Sequence, residues 1–344
     1  MNDTRVLRLY GQGDIRVEAE PVGAPGPGEV AVAIERGGIC GSDLHYFHSG
    51  RAGASIVREP MILGHEVAGR IVQTGPGVDL PLGALVAVNP SNPCKDCKFC
   101  RRGTRHQCLN MRFLGSAMFL PHENGGFRDR MVVEAERAVV MTNASPAEAA
   151  TAEPLAVCLH AANQAPSLMN ASVLITGAGP IGALMTGVAR AAGAAFVLVT
   201  DLAQEPLAVA KAMGAHETVV AGPDALAAHK AEKGHFDVVF ECSAAQPAIK
   251  SAVEVIRPGG TLVQVGIASE ATLPLGALVA KEVRYVGTMR FDEEFYDAAR
   301  MIDGGRIDVG PILTASLPLE DAVNAFHLAG NREKAVKVQL EFAG

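Results

Sequence analysis

The sequence predicts an α/β chain in two parts: a β-rich N-terminal part with irregular loops, then a doubly wound parallel sheet. Three observations carry this reading. Residues 5 to 38 alternate apolar and polar positions between turns such as Pro25-Gly26-Pro27-Gly28, the pattern of short strands. From Ser172 the texture changes to short apolar strands alternating with Ala-rich helical stretches. A length of 344 residues exceeds one ordinary core, and a composition 49% apolar but only 5% aromatic, without Trp, suits packing of small residues between helices and strands. The expected boundaries are residues 1–150, 151–290 and 291–344, the last returning to the first part.

The formal net charge of -7 argues against a nucleic-acid partner, which would want a basic face. Met1 to Tyr10 carries Asp3, Arg5 and Arg8 and lacks an apolar core of signal-peptide length, so a cytoplasmic location is expected. Ala161 to Ala189 is free of charge, but Pro166, Pro180 and its glycines divide it into strand, turn and helix, so no membrane span is expected. Seven cysteines, an odd number, favour thiols and metal over disulfides.

Taken in order, the strand carrying Val30, Val32 and Ile34 feeds Arg36-Gly37-Gly38-Ile39-Cys40-Gly41-Ser42-Asp43-Leu44-His45, which delivers a thiol to a loop at a strand end. Pro60 to Gly69 then places His65 beside Glu66 between glycines, before a strand from Val67 to Gln73. Cys40, His65 and Glu66 form a mixed sulfur, nitrogen and oxygen set suited to tetrahedral zinc, and three protein ligands with an open position mark a catalytic rather than a structural ion.

Cys94, Cys97, Cys100 and Cys108 are close enough in sequence to enclose a second ion by themselves, and Lys95, Lys98, Arg101 and Arg102 would offset the excess charge of a zinc tetrathiolate. An iron–sulfur run spaces cysteines similarly, but here the last gap is long and no Pro follows Cys108. Arg112 to Gly126 reads as an irregular stretch that could line a pocket. Ser145-Pro146 with Glu148 reads as a helix start, and Glu153-Pro154 as a break where a carboxylate is a functional candidate.

Val173 to Thr176 reads as a buried strand, followed at once by Gly177-Ala178-Gly179-Pro180-Ile181-Gly182, a helix, and a strand from Phe196 that ends at Asp201. A Gly-x-Gly-x-x-Gly between strand and helix, with an acid roughly 20 residues on, is a dinucleotide fingerprint. Gly177 allows the tight turn, Gly179 admits the pyrophosphate, and Gly182 lets helix and strand pack closely. Asp201 would accept from the ribose hydroxyls, and no Arg stands at 202 to 204, so NAD is favoured over NADP. Further strands are expected at Thr218 to Val220, Asp237 to Glu241, Thr261 to Gly266 and Glu282 to Gly287, with helices between. Helices near Phe295 to Met301 and Leu319 to Ala329 lead to a last strand, Ala335 to Phe342.

The ordered combination of Gly64-His65-Glu66-Val67-Ala68-Gly69, the four-cysteine lobe and the Gly177 motif resembles the zinc-dependent medium-chain alcohol and polyol dehydrogenases over essentially the whole chain. Cys40 to Tyr46, Glu153-Pro154-Leu155-Ala156-Val157 and Met289-Arg290-Phe291 are most similar to the sorbitol dehydrogenase branch, and Met111 to Met118 to its L-idonate 5-dehydrogenases.

The resemblance implies a GroES-like catalytic domain, a Rossmann domain and a cleft between them. It implies a catalytic zinc on Cys40 and His65, joined by Glu66 and Glu153 directly or through water. Alcohol dehydrogenases carry a second Cys where this chain has Glu153. Such a zinc acts as a Lewis acid on the substrate hydroxyl, hydride passes to the nicotinamide, and Ser42 and His45 carry the proton outward. Arg112 and Arg290 are candidates for a polyol hydroxyl or a sugar-acid carboxylate, which the guanidinium fork suits. His106, His122 and His160 read as packing or surface residues. The activity implied is NAD-linked oxidation of a secondary alcohol, L-idonate to 5-keto-D-gluconate, or else of sorbitol or another polyol. A homo-oligomer, tetramer or dimer, is expected by the same resemblance.

Overall fold

A computed structural model describes residues 3–267 and 270–343. The strands Asp3–Gly11 and Asp14–Pro21 form a hairpin, and Met61–Ile62 completes a three-stranded sheet with it. A seven-stranded sheet follows, in the order Ala138–Met141, Leu85–Val88, Glu66–Thr74, Glu29–Gly38, Lys337–Glu341 and Leu313–Pro318, with Arg130–Glu134 also paired to Glu29–Gly38. Its central strand is buried on both faces from Val30 to Ile34, so it carries Val, Ala and Ile without polar interruption. The C-terminal strand Lys337–Glu341 pairs antiparallel with the end of that strand, Gln339 opposite Gly38.

The second sheet has six parallel strands in the order Glu217–Val220, Phe196–Asp201, Ser172–Thr176, Phe236–Glu241, Ile256–Gln264 and Arg284–Gly287. Helices Pro180–Ala191, Gln204–Ala212, Gln246–Val255 and Leu275–Ala280 cover it. Val173, Leu174 and Ile175 are fully buried, the run expected of a strand covered on both faces. The order reverses between Ser172–Thr176 and Phe236–Glu241, where such sheets open a crevice at the C-terminal ends of their strands.

Two details depart from the sequence reading. The helical break falls at Ala150 and Thr151, and Pro154 sits in the first turn of the helix Ala152–Asn163, where its missing N–H leaves no bond unmade. Ser145 and Glu148 do cap the preceding short helix: Glu148 accepts from Ser145 N at 2.7 Å and donates its own N–H to Ser145 Oγ at 3.3 Å. Between Glu217–Val220 and Phe236–Glu241 the crossover holds only 3-10 turns from Ala227 to Lys233, because this Ala-Ala-His-Lys-Ala-Glu-Lys stretch has no apolar stripe to bury.

One apolar cluster runs from Ala68, Leu85 and Ala87 of the larger sheet through Leu155 and Ala156 to Val173 and Ile175 of the parallel sheet. Helix Ala152–Asn163 is thus packed into both layers and carries Glu153 between them. Helix Glu294–Asp303 buries Phe295, Ala298, Ala299 and Ile302, a stripe at helical spacing, in the same cluster. Among the described residues no helix is long and apolar enough to cross a membrane.

Candidate active site

Cys40 lies just past the end of the strand Glu29–Gly38 and stands at the N-cap of the helix Gly41–Ser49. His65 comes from the loop before Glu66–Thr74, and Gly64 shapes that loop: its φ is +93°, and a Cβ there would lie 2.1 Å from the Phe127 ring. Asp43 ties the two loops together. It is fully buried and accepts from Cys40 N at 3.0 Å and Gly64 N at 3.3 Å, with Oδ1 3.9 Å from His65 Nδ1. Burial raises its pKa.

Ligand atoms of Cys40, His65 and Glu66 all lie within 4.8 Å of one another. Glu153 is outside that group but faces it, buried in the first turn of its helix. Burial and Glu66 push the Glu153 carboxyl up to about 7, against the pull of His65, Lys337 and Arg290. Burial works to lower the His65 pKa, but Asp43, Cys40 and Glu153 outweigh it and hold it well above its ordinary value. Thiol, imidazole and carboxylates converging in a buried space make a donor set that fits a divalent cation, zinc by its mixed sulfur and nitrogen ligands.

The sequence reading missed Lys337. Its ammonium is buried and donates to both Glu66 oxygens, at 2.8 and 2.7 Å, and to Ile39 O at 3.1 Å. The only signal in the sequence was a charge inside the apolar run Ala335-Val336-Lys337-Val338.

Ser42 and His45 stand three residues apart on the helix Gly41–Ser49, Ser42 half-buried and His45 exposed, so they share a face that leads from the site to solvent. Arg290 lies with its guanidinium 4.5 Å over the Phe113 ring, and Phe113 packs against His65 at 5.6 Å. Burial lowers the Arg290 pKa, while Glu153 and Tyr46 pull it up. No side-chain hydrogen bond holds it among the described residues. Arg112 is turned elsewhere, donating to Glu123 at 2.6 Å and to Pro121 O at 2.9 Å. His122 ties its loop to another, accepting from Arg58 N at 2.9 Å, and His160 pairs with Glu294 at 2.9 Å and packs at a tilt against the His106 ring.

The four remaining candidate ligands gather in the lobe after Cys94. Sγ atoms lie 3.4 Å apart for Cys94 and Cys108, 3.6 Å for Cys97 and Cys100, and 4.0 Å for Cys97 and Cys108. A zinc tetrathiolate with bonds of ~2.3 Å has sulfur separations of about 3.8 Å, so the cage fits. Backbone N–H groups of Asp96 and Cys97 draw the Cys94 thiol down to about 6, whereas burial pushes Cys100 up to about 12. Arg105 anchors the lobe to the other part of the chain, its N and Nε donating to Asp292 at 2.9 and 2.8 Å.

At the crevice of the parallel sheet, Gly177 has φ +87° and a Cβ on Gly182 would fall 1.8 Å from Gly177 O, so both positions need glycine. A Cβ on Gly179 would meet nothing within 4 Å: the cradle beside it is open. Pro180 and Ile181 begin a helix with no side-chain cap, leaving its first N–H groups for an anion. Asp201 accepts from Ala178 N at 2.7 Å and Ala203 N at 3.1 Å, which fixes its carboxylate at the rim and leaves lone pairs for a ribose. These residues fit a dinucleotide.

Residues 26–143 match the family model for the alcohol dehydrogenase GroES-like domain, and residues 180–304 that for zinc-binding dehydrogenases. L-idonate 5-dehydrogenase (NAD(P)(+)) of Escherichia coli K12 is 42% identical over 313 residues, covering 90% of this chain and 91% of the relative. Sorbitol dehydrogenase of Gallus gallus is 34% identical, covering 97% of this chain and 95% of the relative. The crystal structure of the E. coli L-idonate 5-dehydrogenase superposes with a TM-score of 0.95 at 39% identity, covering 99% of each chain.

Proposed function

The chain belongs to the zinc-dependent medium-chain dehydrogenase family, and on that premise we propose that it oxidises a secondary alcohol of a sugar acid, L-idonate to 5-keto-D-gluconate, with NAD. Cys40 and His65 would hold the catalytic zinc, with Glu153 or Glu66 completing the set, and Cys94, Cys97, Cys100 and Cys108 would hold the structural one. When bound, zinc supplies Lewis-acid polarisation of the alcohol oxygen and the nicotinamide supplies the hydride acceptor. Asp43 orients His65, Lys337 restrains Glu66, and Ser42 and His45 pass the proton along one helix face to solvent. Gly177, Gly179, Pro180, Ile181 and Gly182 cradle the pyrophosphate, and Asp201 receives the ribose.

The observation that carries the substrate class is Arg290. It presents a guanidinium without a hydrogen-bonded partner among the described residues, beside Glu153 and the His65–Phe113 pair, where a substrate carboxylate could take both prongs of the fork. Steady-state rates test it: kcat/KM on L-idonate is expected to exceed that on sorbitol clearly, and a higher value on sorbitol would replace the sugar acid with a polyol.

We also propose a cytoplasmic homo-oligomer, dimer or tetramer. The free thiols suit a reducing compartment. Strand Arg284–Gly287 is an edge of the parallel sheet, and Leu275, Val279 and Ile267 stand exposed near it, which supports pairing with a second copy.

A further inference from the structure

Glu241 ends the fourth parallel strand and is wholly buried. Its Oε1 accepts from Thr176 Oγ1 at 3.2 Å, from Ser243 N at 2.9 Å and from Ser243 Oγ. Its Oε2 accepts from Ala244 N at 3.0 Å and from Gln264 Nε2 at 2.5 Å. No Lys, Arg or His pairs with it among the described residues, so neutral donors alone solvate a buried carboxylate. Only an acceptor with two oxygens and no N–H can take all of them; a carboxamide in its place would turn an NH2 group against backbone N–H.

The position of this residue connects it to the cofactor crevice. Thr176, Glu241 and Gln264 are register partners at the C-terminal ends of adjacent strands, on either side of the point where strand order reverses. The turn that Glu241 gathers packs on the cofactor loop: a Cβ on Gly177 would lie 3.0 Å from Ser243, and one on Gly266 would lie 2.5 Å from Ala244 N. Ala244 has φ +58°, a conformation that a non-glycine residue adopts at a cost and that its bond to Glu241 helps to hold.

We propose that Glu241 is a positioning residue for the dinucleotide: its carboxylate fixes the turn Cys242–Ala245 as the wall beside Gly177 and so sets the width of the cradle. It touches neither zinc nor alcohol. The inference rests on reading Gly177–Gly182 as the dinucleotide site.

The test is NADH binding to wild type and Glu241→Gln, followed by the fluorescence of the bound cofactor, with zinc per chain and the separate KM values for NAD and alcohol measured alongside. In Glu241→Gln the Kd for NADH and the KM for NAD are expected to rise about tenfold or more, while zinc content and the KM for alcohol at saturating NAD stay within about twofold. A purely structural role would lower the melting temperature and leave the Kd of the folded variant alone, and a Kd within about twofold of wild type overturns the proposal. Should Glu241→Gln not fold, Thr176→Val, which removes one donor, is expected to raise the Kd about threefold, and an unchanged Kd overturns the proposal equally. Wild type that binds no NADH would overturn the dinucleotide reading and this inference with it; wild type and variant binding alike would overturn this inference only.

Discussion

At the residue scale, the site is built from charges that have no reason to be buried except each other. Lys337 and Glu66 are the sharpest case, both nearly without exposure and joined at 2.7 Å. Lys337→Met leaves the Glu66 carboxylate buried near Glu153 without its ammonium partner, and a loss of about 3–5 kcal/mol in stability is expected by urea denaturation. In the double variant with Glu66→Gln the loss is expected to be clearly smaller than the sum of the two single losses, because the uncompensated charge is gone. Arg290→Ala is expected to lower kcat/KM on L-idonate about tenfold to a hundredfold and that on sorbitol much less, as measured by steady-state kinetics. Equal losses on both would remove Arg290 from carboxylate recognition. That Cys40 and His65 would meet was legible in the sequence because their neighbours are diagnostic. Lys337 and Glu241 were not: each acts on a residue or turn brought to it by the fold, and a lone Lys or Glu in a strand has no spacing to read.

At the element scale, the cysteine lobe and helix Glu294–Asp303 are coupled through Arg105, Asp292 and the His160–Glu294 pair. Burial would raise the Glu294 pKa, but His160 and the Asp292 N–H lower it, from 4.5 to about 2. A carboxyl depressed in the folded state contributes stability above its unfolded pKa and loses it as pH falls through the folded one. Glu294→Gln is therefore expected to lower the melting temperature at pH 7, with the difference shrinking between about pH 4.5 and about pH 2. A difference that does not change over that range would remove the pair from the stability of the helix interface. Removing the structural ion by Cys97→Ser is expected to leave one zinc per chain and to weaken L-idonate turnover, since Asp292 is two positions from Arg290. The lobe itself was plain from its spacing, whereas the ties from Arg105 to Asp292 span parts of the chain too far apart for periodicity to connect.

At the scale of the whole molecule, a single apolar cluster crosses from one sheet to the other, and helix Ala152–Asn163 hangs Glu153 in the seam. The six-stranded parallel sheet was legible because strands covered on both faces read as unbroken apolar runs. The order of the seven-stranded sheet was not, because several of its strands are short, several of its paired strands lie far apart in sequence, and the C-terminal strand enters beside Glu29–Gly38. The claim on which the rest depends is that Cys40 and His65 hold a second, catalytic zinc in that seam. Zinc per chain, measured in the purified wild type and in Cys40→Ala, tests it most directly. Two ions falling to one, with loss of L-idonate oxidation, is the expected result; one ion in both proteins, or two in both, would contradict it.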